Sequence, residues 1–364
     1  MARLADAFPV LLGQSARLLL ARVPAVMLVM NAVYAAAPAV VRAAHRGPRA
    51  LACILLLCSG PAAGAERLRV CLNWAPGADH APLYHARQEG WFAESDLAVD
   101  ILPGGQSADT LRRLAGGECE AAVADFGALL AARAQGRDLV AVMAIGAHAP
   151  LAFYAAGGSA LRTPADLTGK RIAGYFTDPP RRLWAAFAAR HGLAPDAVHW
   201  IDLPNNAKVE ALASGAVDVA ANGFYHHHLD YATAFGDRLA ALWWRDWGPD
   251  LLGNVLVLPA AALATPPADR FVGLARRAWL DCLSTPQPCL DALLAANTHL
   301  DPARETRKWP LAARSFAAPS ESTGQLGCLD PARVRETAAA WSAATDPDAA
   351  ASNTPLRRAG ARCR

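Results

Sequence analysis

The sequence lacks the short motifs that most often carry catalysis. It has no G-x-x-x-x-G-K-[ST] phosphate loop, no G-x-S-x-G nucleophile elbow and no H-E-x-x-H zinc helix. These absences exclude ATP hydrolysis and common hydrolase chemistry, and we predict that the chain is not an enzyme and uses no cofactor. C-x-x-C pairs are missing as well, which argues against a structural zinc site or a thioredoxin-like redox site.

The sequence is also poor in charge. Charged residues make up 18% of its 364 residues, with 35 Lys and Arg against 32 Asp and Glu. Residues 1–65 hold six arginines and one acidic residue, a balance of +5, and the remainder holds 29 basic and 31 acidic residues, a balance of −2. Since binding to nucleic acid requires concentrated positive charge, no nucleic-acid partner is expected. The length and the 54% hydrophobic content predict two lobes with sizeable cores.

The basic N-terminus has the pattern of an export signal. A positive segment at 42–49 precedes an apolar core at 51–58, and a small-residue cleavage site follows at 63–65. We therefore predict that residues 1–65 are a signal or targeting region, cleaved near Ala65 and Glu66, and that the mature chain is periplasmic. A second apolar stretch at 23–41 is long enough to span a bilayer but is interrupted by proline and asparagine, so a transmembrane anchor is the less favoured alternative.

Six cysteines remain after the predicted cleavage site: Cys71, Cys119, Cys282, Cys289, Cys328 and Cys363. An even number in an oxidising compartment permits disulfides, although sequence alone does not give their connectivity. Cys282 and Cys289 flank a short turn-rich segment that can close locally. Cys71 and Cys119 each begin an apolar run, and adjacent parallel strands would bring them together. Buried free thiols are the alternative.

Short apolar runs alternate with helical segments after residue 66, which is typical of α/β layering. One series has strands at 68–74, 97–102, 120–125 and 139–145, with helices at 80–92, 107–115 and 127–135. A second series begins near Leu151, with strands at 171–175, 198–203 and 217–221 and helices at 181–191 and 207–214. Two such series predict an α/β fold with a ligand cleft between two lobes.

These patterns also divide the chain. Residues 66–151 are the first part of lobe 1, residues 152–254 are lobe 2, and residues 255–345 return to lobe 1 as mainly helical structure. The segment 346–364, which ends in four arginines at 357, 358, 362 and 364, is predicted to be a disordered tail.

The segment LNWAPGADHAPLYHARQEGWF at 72–92 resembles the opening of the NMT1/THI5-like (SsuA/THI5) family of solute-binding proteins, in particular its thiamine-pyrimidine-precursor binders. The matching residues are Leu72, Trp74, Pro76, His80, Leu83, Tyr84, Ala86, Gly90 and Phe92. Segments 104–127, 161–174 and 212–220 extend the likeness, which covers about residues 66–345. The family's enzyme branch carries a cysteine cluster similar to CCCFC, and this sequence has none.

The resemblance implies a type II periplasmic binding protein that closes its two lobes on a small planar heterocycle, such as hydroxymethylpyrimidine or formylaminopyrimidine. It implies a monomer that delivers this ligand to an ABC permease driven by a separate ATPase subunit. Closure would occur around hinge segments near Leu151 and Leu251. Two alternatives remain open: binding of a sulfonate-like or nitrate-like anion, and synthesis of a pyrimidine precursor.

The cleft residues are expected in loops at the carboxyl ends of the strands, where open α/β sheets bind ligands. The candidates in these loops are Asn73, Trp74, His80, Tyr84, Gly105, Gln106, Ser107, Asp125, Phe126, His148, Tyr175, Asp178, Asn222 and Tyr225. Trp74 would stack on the ligand, and Asn73 would bind its edge, although the family more often has Asp there. A place in the core is the alternative for Trp74 and for Tyr84.

Two further groups of residues allow more than one interpretation. Arg181 and Arg182 would favour an anionic ligand if either pointed into the cleft, and otherwise form a solvated face. The run His226, His227 and His228 invites a metal site, but consecutive side chains point in different directions, so none is predicted.

Overall fold

The computed structural model describes residues 65–157, 161–249, 251–316 and 325–363. The predicted export signal and the apolar stretch 23–41 lie outside these ranges. Contacts group residues 65–364 into one compact unit. Within the described ranges, no helix combines the length and apolar character needed to cross a membrane.

Ten strands in the described residues form two five-stranded sheets of similar construction. Sheet A, in the order β2-β1-β3-β10-β4, contains β1 (Glu66–Cys71), β2 (Leu97–Leu102), β3 (Ala121–Asp125), β4 (Leu139–Ala144) and β10 (Asn254–Pro259). Sheet B, in the order β7-β6-β8-β5-β9, contains β5 (Leu151–Ala156), β6 (Arg171–Ala173), β7 (His199–Ile201), β8 (Val219–Gly223) and β9 (Leu239–Trp243). We call sheet A with its helices lobe 1, and sheet B with its helices lobe 2.

The α-helices of the described residues cover these sheets. Those before β10 are α1 (Ala81–Gln88), α2 (Trp91–Glu94), α3 (Ser107–Ala115), α4 (Phe126–Ala134), α5 (Pro179–Arg182), α6 (Trp184–Arg190), α7 (Lys208–Ala213), α8 (Phe224–Phe235) and α9 (Trp244–Trp247). Those after β10 are α10 (Pro266–Ser284), α11 (Pro286–Ala296), α12 (Pro302–Phe316), α13 (Pro331–Ala340) and α14 (Thr354–Arg358). Helices α10 and α11 pack on α1, so the chain returns to lobe 1.

Each sheet has four strands that run in one direction and one antiparallel strand inserted between two of them. In sheet A, β1 is parallel to β2 and β3, and β10 lies antiparallel between β3 and β4. In sheet B, β6 is parallel to β7 and β8, and β5 lies antiparallel between β8 and β9. The sequence pattern predicts the parallel strands but not β5, β9 or β10. A short apolar run without alternation does not distinguish a buried strand from a buried helix.

Two adjacent segments connect the lobes, one between β4 and β5 and the other between β9 and β10. Ala149 N donates to Leu251 O at 2.8 Å, and Gly253 N donates to Gly146 O at 3.0 Å. These backbone hydrogen bonds hold the two crossing segments side by side. The crossing lies at the residues where the sequence predicts hinge segments.

Several predicted helices end earlier than the sequence pattern indicates. The expected helix at 80–92 is divided into α1 and α2, because Gly90 adopts the left-handed backbone conformation with φ of 75°. The expected helix at 181–191 is likewise divided at Leu183. By contrast, the bounds predicted for β2 and the predicted end of α3 at Ala115 are confirmed.

All six cysteines of the described residues are paired, as Cys71–Cys119, Cys282–Cys289 and Cys328–Cys363. The first joins the end of β1 to the segment before β3, so adjacent parallel strands do bring these cysteines together. The second closes the short loop between α10 and α11. The interpretation as free thiols is therefore wrong for this structure.

The predicted disordered tail at 346–364 is also wrong for the part that the structure describes. Ala350 and Leu356 are fully buried, and α14 packs on α10. Ser352 N donates to Ala141 O at 2.8 Å, and the Cys328–Cys363 disulfide holds the end of the segment. The prediction failed because it rested on composition. Composition does not reveal that a few apolar residues of this segment pack against lobe 1.

Candidate functional site

A cavity of about 700 Å³ lies between the two sheets, within the range typical of small-molecule sites. Its lobe 1 wall comes from the carboxyl ends of β1, β2 and β3 and from the start of β10. Its lobe 2 wall comes from the loops after β6 and β7, the end of β8 and the start of α8. The predicted residues on these walls are Asn73, Trp74, Gln106, Ser107, Asp125, Asp178, Asn222 and Tyr225.

Trp74 presents its indole to the cavity from lobe 1. Its residue exposure is 39%, unusually high for tryptophan at the end of a buried strand. The His226 ring lies opposite it on lobe 2, with centroids 6.3 Å apart and planes inclined at 47°. Burial lowers the pKa of His226 to about 3, so its ring is neutral at neutral pH. The two rings form an aromatic pair from opposite lobes.

Asn73 is buried next to Trp74, and its side chain is held from behind. His80 Nε2 lies 3.0 Å from Asn73 Oδ1 and 3.5 Å from Asp79 Oδ2. Lys308 Nζ lies 3.2 Å from Asp79 Oδ1, and Glu305 Oε2 accepts from Ala78 N at 2.6 Å. This buried polar cluster, residues 79, 80, 305 and 308, supports the cavity wall at Asn73.

Two other asparagines of the wall are fixed by tyrosine hydroxyls. Asn254 Nδ2 donates to Tyr225 Oη at 2.9 Å and thereby links the start of β10 to α8 across the lobes. Asn222 Nδ2 lies 3.4 Å from Tyr231 Oη, and Asn222 Oδ1 accepts from Gly223 N at 2.9 Å. Burial raises the pKa of Tyr225 well above its ordinary value, so the phenol keeps its proton.

Asp178 is positioned by a lysine that has no exposed surface. Lys208 Nζ contacts Asp178 Oδ2 at 2.5 Å, Asn205 Oδ1 at 2.8 Å and Ala221 O at 2.9 Å. Burial lowers the pKa of Lys208, and the Asp178 carboxylate opposes that effect. Since Asp178 and Asn205 both line the cavity, this one ammonium group orders two loops of the lobe 2 wall.

Asp125 caps the N-terminus of α4 and faces the cavity. Its Oδ1 accepts from Ala128 N at 3.1 Å, and its own N donates to Ser107 Oγ at 2.9 Å. Burial raises the pKa of Asp125 to about 6, although backbone N–H donors and Arg182 act in the opposite direction. Its carboxyl therefore changes charge near physiological pH.

Replacing Asp125 by Asn is expected to change the pH dependence of stability. A carboxyl whose pKa rises from 3.8 to about 6 on folding favours the fold below pH 4, and this contribution is lost as the pH rises through 6. Asn keeps the helix cap and has no charge to bury. We therefore expect Asp125→Asn to gain stability relative to wild type above pH 6, by at most about 3 kcal/mol, and to lose that gain near pH 4.

The measurement is thermal unfolding of both proteins from pH 4 to pH 8. The control is Asp196→Asn, which changes an exposed aspartate outside the cavity lining. A pH-independent difference between Asp125→Asn and wild type would contradict the prediction.

The charged residues that line the cavity are balanced in number. Asp109, Asp125 and Asp178 stand against Arg112, Arg137 and Arg182. Arg112 pairs with Asp109, and the Arg182 guanidinium lies 4.6 Å from the centre of the Trp341 ring. Arg181 points away and pairs with Asp202. Of the two arginines considered from sequence, Arg182 is the one that reaches the cavity.

Six predicted site residues do not line the cavity. They are His80, Tyr84, Gly105, Phe126, His148 and Tyr175. His80 is 1% exposed behind Asn73, and Tyr84 and Phe126 are buried in the hydrophobic core. His148 lies in a crossing segment. Gly105 is exposed, and Tyr175 is exposed beside Phe176 at the rim.

The sequence did not identify several wall residues, including Asn254, Trp341, Asn205 and Lys208 behind the wall. Asn254 begins an antiparallel strand, so it lies at the same edge as the carboxyl ends of the parallel strands. Because the candidates were chosen only at the carboxyl ends of strands, Asn254, at the start of its strand, was missed. Trp341 follows α13, far along the chain, and no sequence signal connects it with the cleft.

The three consecutive histidines have different surroundings. His226 and His227 line the cavity, with ring centroids 6.4 Å apart, whereas His228 packs 5.9 Å from the Tyr154 ring. His227 Nδ1 lies 3.7 Å from Asp230 Oδ2. Across the described ranges, no group of three or more His, Cys, Asp or Glu side chains is arranged to hold a metal ion.

A family model described as NMT1/THI5 like matches residues 77–288. A curated relative is the 4-amino-5-hydroxymethyl-2-methylpyrimidine phosphate synthase of Legionella pneumophila, 24% identical over 185 residues. That match covers 49% of this chain and 58% of the relative, so this chain spans little more than half the length of that protein.

Solved structures with the same fold include two ligand-binding proteins. The periplasmic aliphatic sulphonate binding protein SsuA of Escherichia coli has a TM-score of 0.62 and 15% identity, with 76% of this chain and 86% of that chain covered. The ligand-binding component of an ABC-type import system from Staphylococcus aureus has a TM-score of 0.62 and 12% identity, with 81% and 99% covered. At these identities the likeness shows the fold, and the predicted two-lobed periplasmic-binding-protein architecture is confirmed.

Proposed function

Because this chain belongs to the NMT1/THI5-like family, we propose that it is an exported solute-binding protein of an ABC importer and not an enzyme. Its ligand would be a small planar heterocycle, a thiamine pyrimidine precursor such as hydroxymethylpyrimidine or formylaminopyrimidine. The protein would act as a periplasmic monomer, close its lobes around the crossing segments near Leu151 and Leu251, and deliver the ligand to a permease. Closure would shift a conformational equilibrium rather than drive a reaction.

The observation that carries this proposal is the exposed indole of Trp74 in the cavity. An indole that stays 39% exposed while the polar groups around it are buried offers a flat face for stacking. His226 faces it from the other lobe at 6.3 Å between ring centroids. A planar ligand that contacts both rings would favour the closed arrangement of the lobes.

The balance of charges supports an uncharged ligand. Three carboxylates and three guanidinium groups line the cavity, and two of the carboxylates are already paired, Asp109 with Arg112 and Asp178 with Lys208. The same cavity is lined by the hydrogen-bonding amides of Asn73 and Asn254 and by the phenol of Tyr225. These groups suit the ring nitrogens and amino group of a pyrimidine.

The three disulfides support export. Disulfides persist in oxidising compartments such as the bacterial periplasm and are rare in the cytosol. All six cysteines in the described part of the chain are paired in this way. This pattern agrees with the export signal predicted for residues 1–65.

Replacing Trp74 by Ala is expected to weaken ligand binding by about 10-fold to 100-fold, because stacking of a base on an aromatic side chain contributes about 1–3 kcal/mol. Trp74→Phe should retain most of the affinity, since it keeps an aromatic face. The measurement is titration calorimetry with hydroxymethylpyrimidine and formylaminopyrimidine, after a thermal-shift screen.

The matched control is Phe176→Ala, which removes an aromatic side chain that is 59% exposed and outside the cavity lining. That variant should bind like wild type. Absence of any stabilisation by pyrimidines, together with clear stabilisation by sulfonates, would overturn the pyrimidine part of the proposal.

A sulfonate or similar anion is the second candidate ligand, and Arg182 favours it. This arginine lines the cavity, contacts the Trp341 ring and has no acidic partner among the described residues. An anion would gain a charge-assisted hydrogen bond from it. Arg182→Gln should abolish stabilisation by sulfonates and leave stabilisation by a neutral pyrimidine nearly unchanged.

The name of the Legionella relative supports one further candidate, synthesis of a pyrimidine precursor. Incubation of the pure protein with pyridoxal phosphate and iron tests it. Formation of a pyrimidine product would establish an enzyme, and unchanged reactants with intact pyrimidine binding would leave the transport proposal standing.

A further inference from the structure

We propose that buried His80 fixes the side-chain amide of Asn73 so that the cavity wall presents an N–H donor, and that the ligand therefore carries a hydrogen-bond acceptor at the edge that meets Asn73. The inference rests on the proposed function, since it takes this cavity as the ligand site. It makes His80 a positioning residue that acts through Asn73 and does not contact the ligand.

The first step concerns the tautomer of His80. Its Nε2 faces two oxygens, Asn73 Oδ1 at 3.0 Å and Asp79 Oδ2 at 3.5 Å. Its Nδ1 is buried and has no hydrogen-bond partner among the described residues. A proton on Nδ1 would leave a buried donor unpaired and set a lone pair against two oxygens, which is costly. The ring is therefore neutral, with its proton on Nε2.

The second step concerns the orientation of the Asn73 amide. If the amide were rotated by 180°, its NH2 group would face the N–H of His80, and two donors would oppose each other. The orientation with Oδ1 toward His80 is therefore the one that both groups can satisfy. Asn73 Nδ2 has no hydrogen-bond partner among the described residues, and Asn73 lines the cavity. Its N–H groups remain for a ligand.

The third step explains why His80 keeps its place. Asp79 Oδ1 lies 3.2 Å from Lys308 Nζ, and Lys308 Nζ lies 3.8 Å from Glu305 Oε2. All of these side chains are less than 10% exposed. Although burial opposes ionisation, the charge of the Lys308 ammonium holds the pKa of Asp79 below its ordinary value. The ionised Asp79 favours the N–H of His80 at Nε2.

The consequence is a rule for ligand selection. A ring nitrogen, a carbonyl oxygen or a sulfonate oxygen can accept from Asn73 Nδ2, whereas a C–H or N–H at that position cannot. A site that offers a buried donor rejects a ligand that lacks the matching acceptor, because the donor is then left unpaired. Asn73 and His80 together would thus select the edge of the ligand.

The binding test uses hydroxymethylpyrimidine and its two aminopyridine analogues, in each of which one ring nitrogen is replaced by C–H. Wild type should bind one analogue about tenfold more weakly than the parent, the usual cost of one lost hydrogen bond. His80→Leu should lose this discrimination, because the amide can then rotate. His80→Gln should retain it, because Gln supplies an N–H donor. Asn73→Leu, which removes the amide donor without adding a charge, should bind the parent at least tenfold more weakly.

Equal binding of the parent and both analogues by wild type would overturn the ligand part of the proposal. If His80→Leu still distinguished the parent from the analogues as wild type does, the positioning part of the proposal would be overturned. Cooperative thermal unfolding of the variant shows that it is folded and that the comparison is valid. If no pyrimidine binds but sulfonates do, the proposed pyrimidine function fails. Asn73→Leu then decides the present inference, because it removes the amide donor without adding a charge. Sulfonate affinity should fall at least tenfold, and unchanged sulfonate affinity would show that Asn73 donates no hydrogen bond.

A ligand-independent measurement tests the tautomer directly. Nitrogen-15 NMR of the folded chain distinguishes protonated from unprotonated imidazole nitrogens, and His80→Gln assigns the signals. We expect a protonated Nε2 and an unprotonated Nδ1 at pH 7. A proton on Nδ1, alone or in an imidazolium, would overturn the proposal whatever the ligand.

Discussion

The double variant Cys71→Ala/Cys119→Ala is expected to be less stable to unfolding than wild type by about 4 kcal/mol. The Cys71–Cys119 disulfide joins residues separated by 48 positions, and a cross-link that closes a loop of that length removes about this much conformational entropy from the unfolded chain. Both cysteines are buried, at 0% and 2% exposure, so alanine adds only a small cavity. The measurement is urea denaturation followed by circular dichroism.

The pair Cys282 and Cys289 offers an internal comparison. Its loop spans 7 positions, so Cys282→Ala/Cys289→Ala should cost only about 2 kcal/mol. Equal losses for the two double variants would contradict the dependence on loop length. A larger loss for the short loop would indicate that packing of the cysteines, rather than chain entropy, dominates.

The Cys71–Cys119 disulfide is also expected to affect ligand binding. Cys71 ends β1, two residues before Asn73 and three before Trp74. Opening the cross-link would loosen the strand end that carries both side chains. We therefore expect the reduced protein to bind its ligand more weakly even at temperatures where it remains folded.

Replacing Lys208 by Met is expected to destabilise the protein by about 3 kcal/mol. The ammonium group has no exposed surface and contacts Asp178, Asn205 and the carbonyl of Ala221. Removing one partner of a buried ion pair leaves the other charge poorly compensated, which is costly. Urea denaturation measures the loss, and calorimetric titration measures the accompanying loss of ligand affinity.

A second substitution identifies the cause of that loss. The double variant Lys208→Met/Asp178→Asn should recover part of the stability, because no unpaired carboxylate remains. Lys170→Met, which changes a half-buried lysine outside the cavity lining, is the control and should have little effect. If the double variant were no more stable than Lys208→Met, the packing of the lysine side chain and not its charge would account for the effect.

The sequence was most informative where a residue's role follows from its own strand or helix. Asp125 ends β3 and Trp74 lies in the loop that follows β1, and an α/β sheet brings the ends of its parallel strands to one edge. Both line the cavity. The same reasoning chose Phe126 and Tyr84, which lie in the core, because proximity to a strand end does not tell on which side of a helix a residue points.

For His80, the predicted role and the observed position disagree for another reason. The sequence predicts it as a ligand contact, whereas the structure places it behind Asn73, within the buried polar cluster with Asp79 and Lys308. Lys308 is more than two hundred residues away in the chain. No local pattern indicates that these side chains meet, since only the packing of α12 against the short 3-10 helix Ala78–His80 brings them together.

By itself, the sequence determined the α/β class, the parallel strands of both sheets and the strand ends that carry much of the cavity wall. Those features follow from local hydrophobic patterns and from the geometry common to all parallel sheets. The tertiary structure alone decided the insertion of β5 and β10, the ordering of the C-terminal segment and the contacts of Lys208, Asn254 and Trp341. These depend on which distant surfaces bury one another, and that free energy belongs to the folded chain as a whole and not to any segment of it.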